Sequence, residues 1–150
     1  MIKKLFILLT LLILTSCGYQ PLYSKKEIKL LTKELEVSGN VKINNKIISA
    51  LSIEINKNNF SNQKIIIESK KQIIESSKNS KGQPDLYKMI INLRLSKIDK
   101  SGFFSEKNFI EEFSYKNKDN KFNLSEYEIE VENNLINKII EKLILYINIK

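Results

Sequence analysis

Few residues in this 150-residue chain are equipped for chemistry. There is no histidine, which removes imidazole bases, Ser-His and Cys-His nucleophile pairs and the usual zinc ligands together. Cys17 is the single cysteine, so no intramolecular disulfide can form. A free thiol is a liability in an oxidising compartment, and a modified cysteine is the more economical reading. Glu111 and Glu112 form a carboxylate pair, but adjacent residues on a strand point to opposite faces and cannot flank one substrate. The acidic residues Glu126, Glu128, Glu130 and Glu132 gather where a helix is expected to start, so capping explains them. No glycine-rich phosphate loop occurs. The expectation is no catalytic residue, no metal ligand set and no cofactor other than whatever modifies Cys17.

The remaining chemistry is positive charge. Lys and Arg number 25 against 17 Asp and Glu, a net of +8. Arg94 is the only arginine, and arginine supplies the bidentate contacts that nucleic-acid readers favour. The excess is lysine in a chain also crowded with Ile and Asn, a skew that codon choice in an AT-rich genome produces unaided. A nucleic-acid partner is therefore not expected, although the charge still favours anionic surfaces.

Residues 1–16 show how the chain meets such a surface. Lys3 and Lys4 precede an apolar run from Leu5 to Leu14, and Leu14-Thr15-Ser16-Cys17 closes it with small residues. That is an export signal. The run falls short of the roughly 20 residues of a comfortable membrane-spanning helix. The alternative is an uncleaved anchor with a buried cysteine, but Cys17 stands at the cleavage position of a lipobox and resembles the acylated first residue of a bacterial lipoprotein. Several acyl chains, palmitate among them, would hold the protein stably, since each buried methylene contributes about 0.8 kcal/mol. Removal of Lys3 and Lys4 leaves the rest at about +6. Gly18 replaces the aspartate of an inner-membrane retention signal, which by analogy sorts the protein to the outer membrane. Residues 17–33 read as a lipid-anchored tether and 34–150 as a single domain.

The elements of that domain follow from periodicity. Leu35, Val37, Val41 and Ile43 alternate around a Gly39-Asn40 turn signal and predict a short first strand. Asn44 and Asn45 are good caps for a helix over 45–57, with Ile47, Ile48, Leu51 and Ile55 on one face, although Leu51, Ile53 and Ile55 also alternate as in a strand. A partly exposed strand is expected over 65–75 and a loop over 76–85. The clearest strand follows, with Tyr87, Met89, Ile91, Leu93 and Leu95 on one face and Lys88, Asn92, Arg94 and Ser96 on the other. Asp99 to Gly102 marks a hairpin turn, and Phe109, Phe113 and Tyr115 lie on its return strand. Ser125 with Glu128 reads as a capping box, and Leu124 with Ile129 as a hydrophobic staple. The stripe from Leu135 to Ile147 draws a long final helix whose apolar face is read as core rather than as a binding groove. The order is β-α-β-β-β-α: an α+β two-layer sandwich, a four-stranded and mostly antiparallel sheet with two helices packed on one face.

The mature start Cys17-Gly18-Tyr19-Gln20-Pro21-Leu22-Tyr23 resembles the opening of the LPS-assembly lipoproteins, the LptE family. Gly82-Gln83 leading through Tyr87 and Met89 into the central strand is similar to that family too, and so is the element order. The loops differ in being rich in lysine and asparagine. The resemblance implies a non-catalytic Gram-negative outer-membrane lipoprotein, anchored on the periplasmic side, that partners and plugs the LptD β-barrel and contacts lipopolysaccharide on its way to the outer leaflet. A barrel lumen is polar and wet, so such a plug has an ordinary charged surface.

In a meander, the loop between its first two strands and the loop into the last helix lie at one end of the sheet. Lys78 and Lys81 belong to the former, and Lys116, Lys118 and Lys121 to the latter, so these lysines are candidates for contact with the phosphates and carboxylates of lipopolysaccharide. Their ordinary role is solvation. Arg94 is a candidate contact to the barrel wall, with local pairing to Glu111 or Glu112 as the commoner arrangement. An envelope scaffold, or a carrier lipoprotein for another amphiphile, shares the lipobox and the charge and is the competing reading.

Overall fold

A computed structural model describes residues 29–56 and 63–148. The signal segment, Cys17 and the heptad that follows it lie outside the described residues. The elements are β1 (Leu31–Thr32), β2 (Glu34–Gly39), α1 (Val41–Ala50), β3 (Glu54–Ile55), β4 (Lys64–Lys78), β5 (Pro84–Ile98), β6 (Phe104–Lys116) and α2 (Lys121–Asn148). The main sheet has the order β2-β4-β5-β6, parallel between β2 and β4 and antiparallel elsewhere. This is the expected layout: a mostly antiparallel four-stranded sheet with both helices on one face.

Alternation along β5 builds the core floor. Met89, Ile91, Leu93 and Leu95 are buried, the register pairs Leu95 with Ile67 of β4 and Leu93 with Phe109 of β6, and Ile65 and Tyr115 are buried on the same face. α1 covers this floor with Ile43, Ile47 and Leu51, spaced four apart on one side of the helix. α2 adds Leu124, Val131, Leu135, Ile136, Ile139 and Leu143. Its stripe is core, as expected.

Several local expectations are corrected. The first strand ends at Gly39, and Val41 and Ile43 are helical: Asn40, not Asn44 or Asn45, caps α1, its side-chain oxygen accepting from the Ile43 N–H at 3.1 Å. Gly39 makes this exit possible. It has φ +92°, and a Cβ there would lie 1.8 Å from the Ser69 carbonyl oxygen. The helix also stops at Ala50 instead of continuing to 57. Ser52 turns the chain with φ 42°, and the Ile53–Ile55 alternation resolves as β3, which pairs in parallel with β1. Leu31–Thr32, expected to be part of a tether, is therefore a strand, and Thr32 is buried, donating its hydroxyl to the Gln63 carbonyl at 2.6 Å. Finally, α2 begins a turn earlier than the Ser125 box. Asn120 accepts from the N–H groups of Phe122 and Asn123, Ile129 is exposed, and Glu128 accepts from the Tyr115 hydroxyl at 2.8 Å. Strands also extend further into the 76–85 loop than expected, since β4 runs to Lys78 and β5 starts at Pro84.

Candidate functional site

The end of the sheet formed by the β4–β5 turn and the β6–α2 linker is built from asparagines. Asn79 closes the turn, its side-chain oxygen accepting from the Lys81 and Gln83 N–H groups at 2.9 and 3.0 Å. Asn117 locks the linker to it, donating its backbone N–H to Asp85 and its side-chain N–H to Pro84, both at 2.8 Å. Side chains that cap local backbone in this way hold a loop without help from a core.

Lys78, Lys81, Lys116, Lys118 and Lys121 all belong to this end and are exposed. They are not equivalent. Lys78 lies 3.8 Å from Glu75, and the Lys118 ammonium sits 4.3 Å from the centre of the Tyr127 ring. Lys81, Lys116 and Lys121 have no carboxylate within 4.0 Å among the described residues. Asp85 and Asp119 are the acids of the same loops, so the end remains net positive. Such an array can hold phosphate or carboxylate groups by charge.

Arg94 lies on the open face of the sheet, away from both helices. It is held by Glu68 of β4 at 3.0 Å and by Glu106 of β6 at 3.7 Å, not by the expected Glu111 or Glu112. Glu111 faces α2 and pairs with Lys142, whereas Glu112 faces the other way and pairs with Lys88 at 3.2 Å. The two carboxylates therefore lie on opposite faces, as their adjacency requires.

Two features depart from the sequence expectations: the helix starts at Lys121 with no acid in its first turn, so Glu132 is not a capping residue, and a groove opens beside it. Glu132, 3% exposed, accepts from Lys42 of α1 at 3.0 Å and from Lys71 of β4 at 3.1 Å, tying both helices to the sheet. Burial pushes its carboxyl up, but the hydrogen bonds and charges of the two lysines outweigh that and hold it below the usual carboxylate range. A groove of about 480 Å³ also runs between β6 and α2, lined by Phe113, Tyr127, Val131, Leu135, Lys138 and Glu141 among others. Phe113 of the return strand lines this groove and is 44% exposed. Among the described residues there is no cluster of three potential metal ligands, and no helix is long and apolar enough to cross a membrane.

Solved structures share this fold. The rare lipoprotein B of Shewanella oneidensis is similar over 77% of this chain and 96% of its own, with TM-score 0.55 and 10% identity. An uncharacterised lipoprotein B of Nitrosomonas europaea is similar over 79% of this chain and 84% of its own, with TM-score 0.54 and 8% identity. No protein-family model matches the sequence. No curated protein matches it either.

Proposed function

We propose that this chain is an outer-membrane lipoprotein, acylated on Cys17 and facing the periplasm, that sits with an LptD-like β-barrel and assists lipopolysaccharide transport to the outer leaflet without catalysing a reaction. The observation that carries this reading is a coincidence in one chain. A lipobox cysteine opening the Cys17–Tyr23 heptad precedes a domain with the fold of the rare lipoprotein B proteins. The two signals are independent, one a string of residues and the other a topology.

The test is co-purification from detergent-solubilised envelopes. A large outer-membrane barrel identified by mass spectrometry is the expected companion, and its absence under conditions that keep barrel complexes intact counts against the reading. Lipopolysaccharide contact is assigned to the lysine end. The triple change Lys78→Glu, Lys81→Glu and Lys121→Glu should weaken lipopolysaccharide binding with the circular dichroism unchanged. The loss should be largest at low salt, where exposed charges are least screened.

The groove between β6 and α2 supports a second reading, a carrier of another amphiphile, because it brings Phe113, Val131 and Leu135 together with the charged Glu130, Lys138 and Glu141, a mixture that suits an acyl chain with a polar head. A carrier would retain lipid after purification away from any barrel, and a barrel subunit would not.

A further inference from the structure

The opposite end of the sheet carries a different surface. One row of residues marks it: Glu34, Lys64, Ile98 and Phe104, paired in sequence across β2, β4, β5 and β6. The described chain begins at this end. Leu31–Thr32 leads directly into β2, and Lys33 donates its N–H to Gln63 at 2.9 Å. Cys17 is separated from Leu31 by 13 residues, a reach of at most roughly 45 Å. The 15 residues of β4 carry the lysine end about 45 Å further away. An acyl anchor on Cys17 therefore tethers the Phe104 end first.

This end also exposes apolar side chains beside the ion pairs Lys29–Glu54 and Lys64–Glu34. Phe103 is 64% exposed, Phe104 53%, Ile55 56% and Leu31 38%. The phenylalanines are not on a loose loop. Asp99 accepts from the N–H groups of Ser101 and Phe103 at 2.8 and 2.9 Å and from the Ser101 hydroxyl, and Gly102 completes the turn with φ +79°. Lys100 lies in the turn and Lys107 follows it on β6, while Lys97 sits over the Tyr146 ring at 6.0 Å; of the nearby acids, Asp99 holds the turn and Glu106 pairs with Arg94. Aromatic side chains on a fixed turn with lysines behind them match the layering of a bilayer surface, apolar below and anionic at the headgroups.

We infer that the β5–β6 turn docks on the phospholipid leaflet that holds Cys17, with Phe103 and Phe104 seated at the acyl boundary and Lys100 and Lys107 near the anionic headgroups. Docking fixes the orientation of the domain, with the lysine end directed away from the leaflet. The orientation rests on the lipoprotein reading, whereas the affinity of the turn for lipid does not.

The chain has no tryptophan, so Phe104→Trp and Phe122→Trp each report one site, the second at the lysine end. The acylated protein is placed in vesicles of phosphatidylethanolamine and phosphatidylglycerol with brominated acyl chains. The Phe104→Trp emission should shift to the blue and be quenched about twofold or more, with Phe122→Trp unchanged. Equal quenching of both, or of neither, overturns the proposal, and so does a blue shift in detergent that grows with protein concentration, which assigns the turn to a second copy. A Cys17→Ser chain produced without residues 1–16, so that no apolar signal segment is retained, separates this failure from failure of the anchor. It should still sediment with anionic vesicles, about tenfold less when Phe103→Ser and Phe104→Ser are added. Intact mass of the wild-type protein reads acylation independently.

Discussion

Neighbouring residues of one strand meet different surroundings on the two faces of this sheet. Ile91 is fully buried beneath the helices, while Ile90, one position earlier, is half-buried on the open face between Gln72 and Glu112. Lys71 reaches the buried Glu132, whereas Lys70 projects from the other side and is exposed. Glu111 pairs with the helix α2, and Glu112 pairs within the sheet. A helix-covered face fixes each side chain by packing and desolvation, but an open face of mixed charge leaves its residues able to exchange partners for water. Stability should therefore be concentrated on one face, and the other should be free to meet the partner proposed above.

The sharpest way to break this contrast is the pair Ile91→Ala and Ile90→Ala. The first removes three carbons from the centre of the core and should cost about 3 to 4 kcal/mol. The second removes them from a half-solvated site and should cost about 1 kcal/mol. Urea unfolding of the two variants measures both, and similar losses would mean that the open face is packed by something in the intact protein.

Glu132 tests the covered face through charge. Its replacement by alanine leaves Lys42 and Lys71 without their shared acceptor, but both lysines are part-exposed and can rehydrate, so a loss of about 2 kcal/mol is expected, below that of a fully buried pair. The pH dependence has a definite sign. Because the folded-state carboxyl is held below its usual value of 4.5, its contribution is fully present above that pH and disappears as pH falls through the folded-state value. Thermal melts of the wild type should therefore show an acid limb below about pH 4.5 that Glu132→Gln makes shallower. An unchanged limb would assign acid sensitivity to other carboxylates.

What could be read from the sequence was whatever repeats locally. The alternation of β5 and the stripe of α2 fixed their own faces, and the meander that follows from them brought the lysine loops to one end, as Asn117 bonding to Pro84 and Asp85 bears out. Errors arose where two local patterns were both satisfied. Val41 and Ile43 continue the alternation of Leu35 and Val37, but they also begin the four-residue spacing Ile43, Ile47, Leu51, and Gly39 beside Ser69 decides for the helix. Asn120 and Ser125 are both competent caps, and burial of Leu124 together with the Tyr115–Glu128 bond selects the earlier one. Thr32 was beyond local reading altogether, because its partner Gln63 is 31 positions away. The network around Glu132 joins three elements and has no local signal: with the helix start placed at Ser125, Glu132 reads as one of its capping acids, and only the earlier start at Lys121 and the neighbouring helix make it a buried partner of Lys42 and Lys71.

Arg94 carries the smallest expected effect and tests the open face most directly. The register counts back from the turn: Ile98 opposite Phe104 places Asn108 opposite Arg94, leaving Glu106 diagonal to it and Glu68 across on β4, so Glu111 and Glu112 are out of reach. The guanidinium between two carboxylates is about half exposed, and exposed ion pairs of this kind contribute about 0 to 1 kcal/mol. Arg94→Ala should therefore shift the urea midpoint of the isolated protein by no more than an amount equivalent to about 0.5 kcal/mol. Its effect on recovery of a barrel partner is independent of that value. A stable Arg94→Ala variant that no longer brings down the barrel would mark the open face as the contact surface, and one that is itself strongly destabilised would show that the row Glu68, Arg94, Glu106 holds the sheet together and that the two faces are less different than their burial implies.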